Sequence, residues 1–243
     1  MKQEIIDCFH AHKSRYGRIR IQKELEEEGL TLSQPFISET LRDNGLRARS
    51  KAPYRPKTTI TSKTNIADNT LASTCTHRPN QVTVTDITYI KTKEGWLYLA
   101  AIMDLHTRVI KGYHVGESLE TSLVLQAFHK ALSNYPELAG SLHHTDRGCQ
   151  YTSKAYKEAL EANQIKLSMS AQGYCYDNAH MESFWASLKR EIGDEPIDEF
   201  ETKEDAKQAI FEYIYGYYNT VRKHSALNYK SPLETENQLI LPS

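Results

Sequence analysis

The stretch Val82-Thr83-Val84-Thr85-Asp86-Ile87-Thr88-Tyr89-Ile90 decides how the chain is read. It is rich in β-branched residues, which predicts a strand, and a period of two puts Asp86 on the same face as Val82, Val84 and Ile90. An ionised carboxylate in phase with core valines is costly to bury unless it is paired or holds a cation. Gly95 separates this strand from the run Trp96 to Met103, and Val109 to Val115 gives a third. Consecutive strands with short turns are antiparallel neighbours. Further on, the pattern predicts a helix over Leu119 to Leu132, a strand over Leu142 to Thr145, a helix over Ser153 to Ala162 and a strand over Ile165 to Ser168. Two helices follow, near Asn178 to Ile192 and Thr202 to Asn219. The expected fold class is α/β, a mixed sheet with helices on both faces.

Ahead of that sheet, residues 1–46 read as a small helical domain. Ile21 and Leu25 stand at i,i+4, the run ends at Gly29, and Ser33 with Pro35 opens a second helix with Ile37 and Leu41 on one face. Two short helices across a polar turn suggest a helix-turn-helix, with Gln34, Ser38 and Arg42 as the readers of base or phosphate. Residues 47–79 read as a basic linker. Between Arg42 and Lys63 seven Lys or Arg face one acid, and Arg42, Arg47, Arg49 and Lys51 are the candidate DNA-backbone contacts there. The expected core spans 80–232, and 233–243 is left as a tail.

Composition narrows the class. The 243 residues are 25% charged and 39% hydrophobic with a net charge of −1, the balance of a chain that buries a core. No apolar run exceeds the eight residues Trp96 to Met103, which excludes a membrane span, and the N-terminal stretch lacks a secretory h-region. A cytoplasmic protein is expected. The four cysteines form no C-x-x-C pair, so no zinc ribbon is signalled.

Three acids carry the chemistry. Asp86 lies mid-strand, Asp146 ends the strand Leu142 to Thr145, and Glu182 sits on a helix clear of its apolar stripe Phe184, Trp185, Leu188 and Ile192. Oxygen ligands from two strands and one helix suit a hard divalent ion, magnesium or manganese, that also keeps water and phosphate oxygens. Two such ions about 4 Å apart suit in-line phosphoryl transfer.

The strings VTDITYI (84–90), EGWLYLA (94–100), HTDRGCQY (144–151), SMSAQGYCYDNAHMESFWASLKRE (168–191) and YNTVRKHSALNYKSP (218–232) resemble the second-frame product of the insertion-sequence family three transposases. YGRIRIQKEL (16–25) resembles that family's helix-turn-helix segment. The resemblance implies a retroviral-integrase-type catalytic core on an RNase H-like fold. It implies a DDE triad at Asp86, Asp146 and Glu182, with 35 residues between the last two. It maps a family asparagine to Asn178 and a basic residue, read as a phosphate contact, to Lys189. The implied activity is metal-dependent DNA cleavage and strand transfer with two magnesium or manganese ions. The implied partners are DNA, further copies of the chain in a synaptic complex, and an upstream-frame DNA-binding product or a fusion with it, because the chain has no zipper heptads of its own. The sequence departs from the family at Thr83, Cys149, Asn228, where a glycine is usual, and Thr235. Two readings stay open beside transposition: an RNase H-like nuclease, and a DNA-binding regulator with an inactive core. The motif Arg222, His224, Ser225 carries no assigned reaction and is expected to tie the last helix.

Overall fold

In the computed structural model, which describes residues 1–49, 67–71, 78–170, 179–193 and 199–240, five strands form one mixed sheet in the order β3-β2-β1-β4-β5. The strands β1 (Val82–Thr92), β2 (Gly95–Asp104) and β3 (Ile110–Gly116) are antiparallel, as their short turns require. Gly95 takes φ 117° at the first turn, where a side chain would be strained. β4 (Leu142–Thr145) runs parallel to β1, and β5 (Lys166–Met169) runs parallel to β4.

Alternation along β2 separates two cores. Ala100 and Ile102 face α4 (Thr121–Asn134) and α6 (Lys154–Ala162), with Tyr151 of the short helix α5 (Cys149–Thr152) in the same cluster. Gly112 of β3 lets α4 approach backbone to backbone, since a Cβ there would lie 2.5 Å from the Ala131 nitrogen. Leu97, Leu99, Ala101 and Met103 point the other way, together with Val82, Val84 and Ile90 of β1. They meet α7 (Ala179–Glu191) and α8 (Lys203–Phe211). The expected helices on both faces are present.

The N-terminal region forms three helices, α1 (Lys2–Ala11), α2 (Arg18–Glu27) and α3 (Gln34–Asp43). Ser33 caps α3 by accepting from the Phe36 N–H. Ile5, Phe9, Tyr16, Ile21, Leu25 and Ile37 belong to the same buried cluster as Met181, Leu188, Ile192 and Tyr217. The module is therefore packed onto the α7 side of the sheet. The acidic face of α2 is neutralised from the C-terminal region, where Lys223 Nζ lies 2.6 Å from Glu27 and 3.5 Å from Glu24. Part of the stretch expected as linker is also fixed: Thr70 N–H donates to Ser168 Oγ at the edge of β5.

Two further differences from expectation have physical causes. The helix expected to reach Asn219 continues beyond α8 as a π-helix over Glu212–Tyr218, whose wider turn brings Tyr213 and Tyr218 to the same side, ring centroids 6.1 Å apart. The segment left as a tail forms α9 (Pro232–Ile240), because Glu236 pairs with Lys111 of β3 and both side chains are buried. Asn228, at a position where glycine is usual in the family it resembles, takes φ 53°, a left-handed conformation that asparagine tolerates. Among the described residues no helix is long and apolar enough to cross a membrane.

Candidate active site

The register of β1 and β4 pairs Val82 with Leu142, Thr83 with His143 and Val84 with His144. Continued by two residues, it sets Asp86 level with Asp146, and β4 ends between them at Thr145. The strands part at this point, and both aspartates line one cavity of about 230 Å3 with Tyr89, Tyr98, Gln150 and Tyr151.

Each carboxylate is held. Asp86 Oδ2 accepts the indole N–H of Trp185 at 2.9 Å, from the α7 side of the sheet. Asp146 Oδ1 accepts the Gly148 N–H at 2.8 Å, and a Cβ on Gly148 would stand 3.0 Å from that oxygen. Burial, and next the neighbouring Asp146 charge, push Asp86 up to about 7, against the opposing pull of the Ile87 N–H and Trp185. Burial also raises Asp146, and the Gly148 N–H limits the rise. Two carboxylates crowded into one partly dry cavity are a strong acceptor for cationic charge.

Glu182 lies in the first turn of α7 and is exposed, while Met181, Phe184, Trp185 and Leu188 are buried. It adds a smaller upward push on Asp86 but does not line the cavity. No three His, Cys, Asp or Glu side chains come together as a metal-binding group among the described residues. The structure thus joins two of the three acids and leaves the third at the near end of α7. Asn178, which precedes that helix, and Lys51 lie outside the described residues.

The candidate DNA contacts separate. Arg42 and Arg47 are exposed and line a groove of about 680 Å3 with Arg18, Ser38, Ser225 and Tyr229. Arg49 differs from expectation: its guanidinium turns inward to the Glu191 and Gly193 carbonyls, where Arg15 also donates. A half-buried side chain spent on the end of α7 is an anchor for that helix. Lys189 is half-buried on α7. His144 is buried, with ring nitrogens 2.9 Å from Ser168 Oγ and 3.0 Å from Ser170 Oγ, a structural histidine.

Sequence reasoning missed the role of Trp185, which it assigned to the buried stripe. The signal was available, because a buried indole N–H needs an acceptor and Trp185 stands one turn from Glu182. Trp185→Phe keeps an aromatic side chain at the position and removes the donor. The DNA strand transfer that the resemblance implies is expected to fall about tenfold, the worth of a hydrogen bond to a charged group, and the acid limb of its pH profile to move upward, because the bond favours ionised Asp86. Wild-type rate and profile in a folded Phe variant would remove Trp185 from the site.

An Integrase core domain model matches residues 76–175, and a second Integrase core domain model matches residues 163–232. The chain is 39% identical over 240 residues to the transposase for insertion sequence element IS904 of Lactococcus lactis subsp. lactis, covering 97% of this chain and 93% of the relative. It is 35% identical over 235 residues to transposase InsF for insertion sequence IS3A of Escherichia coli K12, covering 96% of this chain and 81% of the relative. A chain of the simian T-cell lymphotropic virus intasome superposes with a TM-score of 0.54 at 15% identity, covering 91% of this chain and 72% of that one, a likeness of fold.

Proposed function

The chain belongs to the IS3 family of insertion-sequence transposases, and from that membership we propose that Asp86, Asp146 and Glu182 are the carboxylates at which it cleaves and joins DNA strands. The protein is a transposase with an integrase core. The assignment of residues rests chiefly on one observation: Asp86 and Asp146 stand level on two parallel strands that part at a shared cavity.

The donor set fits a divalent cation. Asp86 and Asp146 are hard oxygen ligands whose mutual repulsion a cation relieves, so they would hold magnesium or manganese, with Glu182 completing a set for two ions. Bound there, the ions would supply Lewis-acid polarisation of the scissile phosphate and activation of the attacking oxygen. The chain's own residues position the reaction. Trp185 and the Gly148 N–H fix the aspartates, and Lys189 on the α7 helix contacts phosphate beside Glu182. The nucleophile is water in cleavage and a terminal 3′-hydroxyl in joining. The test is a joining assay with duplexes carrying the element's terminal repeats, target DNA and magnesium. Joined products are expected, and their absence with both magnesium and manganese would overturn the reading.

Arg42 and Arg47 track the DNA backbone. The double variant Arg42→Gln/Arg47→Gln is expected to fold normally and to lower the salt slope of DNA binding by about two units, one per lost phosphate contact. An unchanged slope would show that the groove faces solvent only. The chain works in the cytoplasm as several copies in a synaptic complex. It gains end specificity from an upstream-frame DNA-binding product, alone or as a fusion. Gel shifts on the terminal repeats, with and without that product, check this; equal specificity in both would refute the need for it.

A further inference from the structure

The connection between β2 and β3 meets the turn closed by the His224–Lys230 backbone bridge and α9 around a notch of about 420 Å3, lined by His106, Arg108, Asn228, Lys230, Thr235 and Gln238 among others. No Asp or Glu is among the described residues that line it. Arg108 is the unexplained group. Its Nη1 is shut off from solvent and has no hydrogen-bond partner among the described residues, although an unpaired buried donor is costly. The nearby Asp104 is already engaged: Oδ1 accepts from His106 N, Thr107 N and Thr107 Oγ1, and Oδ2 accepts from Asn80 N. The backbone is left-handed at Arg108 (φ 65°) and, on the C-terminal turn, at Asn228 and Tyr229 (φ 53° and 63°). At Arg108 and Tyr229, unlike at asparagine, this conformation is costly and persists only where the surroundings enforce it.

We propose that this notch binds a backbone phosphate of DNA, with Arg108 as principal donor and Lys230 as second cation. The proposal rests on the reading of the chain as a DNA transposase. A phosphate entering the notch meets the side of the guanidinium that lines it, and that planar group matches two phosphate oxygens at once. The notch lies on the far side of Asp86 from the cavity wall Tyr89 and Tyr98, so a strand bound there approaches Asp86 from the opposite end of β1. Asp86 pairs with Ala101 of β2, and Asp104, where the Arg108 turn begins, lies three residues or about 10 Å further along that strand. Asn228 and Lys230 of the C-terminal turn form the opposite wall.

The experiment measures binding of a terminal-repeat duplex by fluorescence anisotropy from 50 to 200 mM salt, with chelator present so that no cleavage intervenes. Arg108→Gln should weaken binding about tenfold and lower the salt slope by about 0.9, the value for one phosphate contact. Arg108→Lys should keep most of the slope. Ala226→Glu, a change at the exposed rim of the notch, leaves Arg108 in place and should weaken binding in the same direction. Wild-type affinity and slope in both Arg108→Gln and Ala226→Glu would overturn the proposal. If inorganic phosphate raises the melting temperature of wild type but not of Arg108→Gln, while the DNA slope is the same in both, the notch takes free phosphate and the DNA assignment falls. A wild-type chain that binds no DNA would overturn the transposase reading along with the notch.

Discussion

On the proposed assignment, Asp146→Asn and Asp86→Asn should each lower strand joining by at least about a thousandfold while leaving DNA binding near wild type, because each would remove a cation ligand that serves transition-state charge stabilisation. The same substitutions should raise the melting temperature of the metal-free protein. The sign follows from linkage. Burial and the Asp146 charge hold Asp86 up at about 7 in the folded protein, against an ordinary value of 3.8. A carboxyl raised in this way costs stability as pH rises from the ordinary value through about 7, and the cost is fully present above that. Asparagine carries no such cost, so the gain should be largest at pH 8 and should vanish near pH 3. Melting curves at the two pH values check the stability half, and joining assays check the rest. An active Asn variant would remove that aspartate from the triad, and a variant that melts lower at pH 8 would show that the two acids do not strain each other.

Arg222→Met should destabilise the protein by about 3–5 kcal/mol, the cost of leaving a buried carboxylate without its partner. Glu191 is fully buried and accepts from Arg222 Nε at 2.7 Å and Nη2 at 2.9 Å, from Arg190 at 3.0 Å and from Tyr213 Oη at 3.1 Å. Burial opposes its ionisation, yet the hydrogen bonds of Arg222 and Arg190 and the charges of Arg222 and Arg20 outweigh burial and hold the carboxyl at about 2. A depressed carboxyl contributes stability above its ordinary value of 4.5 and loses it as pH falls toward 2, so the wild type should weaken in that window and Arg222→Met much less. The pair Glu191→Leu/Arg222→Met should recover a large part of the loss, since an apolar replacement of both partners is often close to neutral. Chemical denaturation of the singles and the double gives the coupling. A coupling near zero would show that packing, and not the ion pair, holds the end of α7.

The sheet was legible because its signals are local. β-Branched alternation in Val82 to Ile90 and glycine at the first turn identify β1 and β2, and the same alternation sets Asp86 on the α7 side. Asp146 was legible from its place after a short strand. What stayed hidden depends on contacts between distant residues. Nothing near Arg49 announces that it meets the end of α7, 142 residues away. Glu236 reads as a solvated tail residue until Lys111 of β3 is placed opposite it. The π-helix is invisible to helical periodicity, because Tyr213, Tyr217 and Tyr218 fit an α-helical stripe almost as well. Arg222 and His224 were recognised as a motif without a reaction, and burial of Arg222 against Glu191 gives the first of them its work.

The N-terminal helices share their buried cluster with α7, and Arg15, Arg49 and Tyr16 bond to the backbone of the catalytic half. Modularity is lost by this arrangement. A helical unit joined through a tether can be traded between relatives by recombination, but this one would carry Arg15, Tyr16 and Arg49 into a foreign partner surface and strand them there. Whatever the module recognises must therefore drift residue by residue on its outer face, and recognition and catalysis are inherited as one piece.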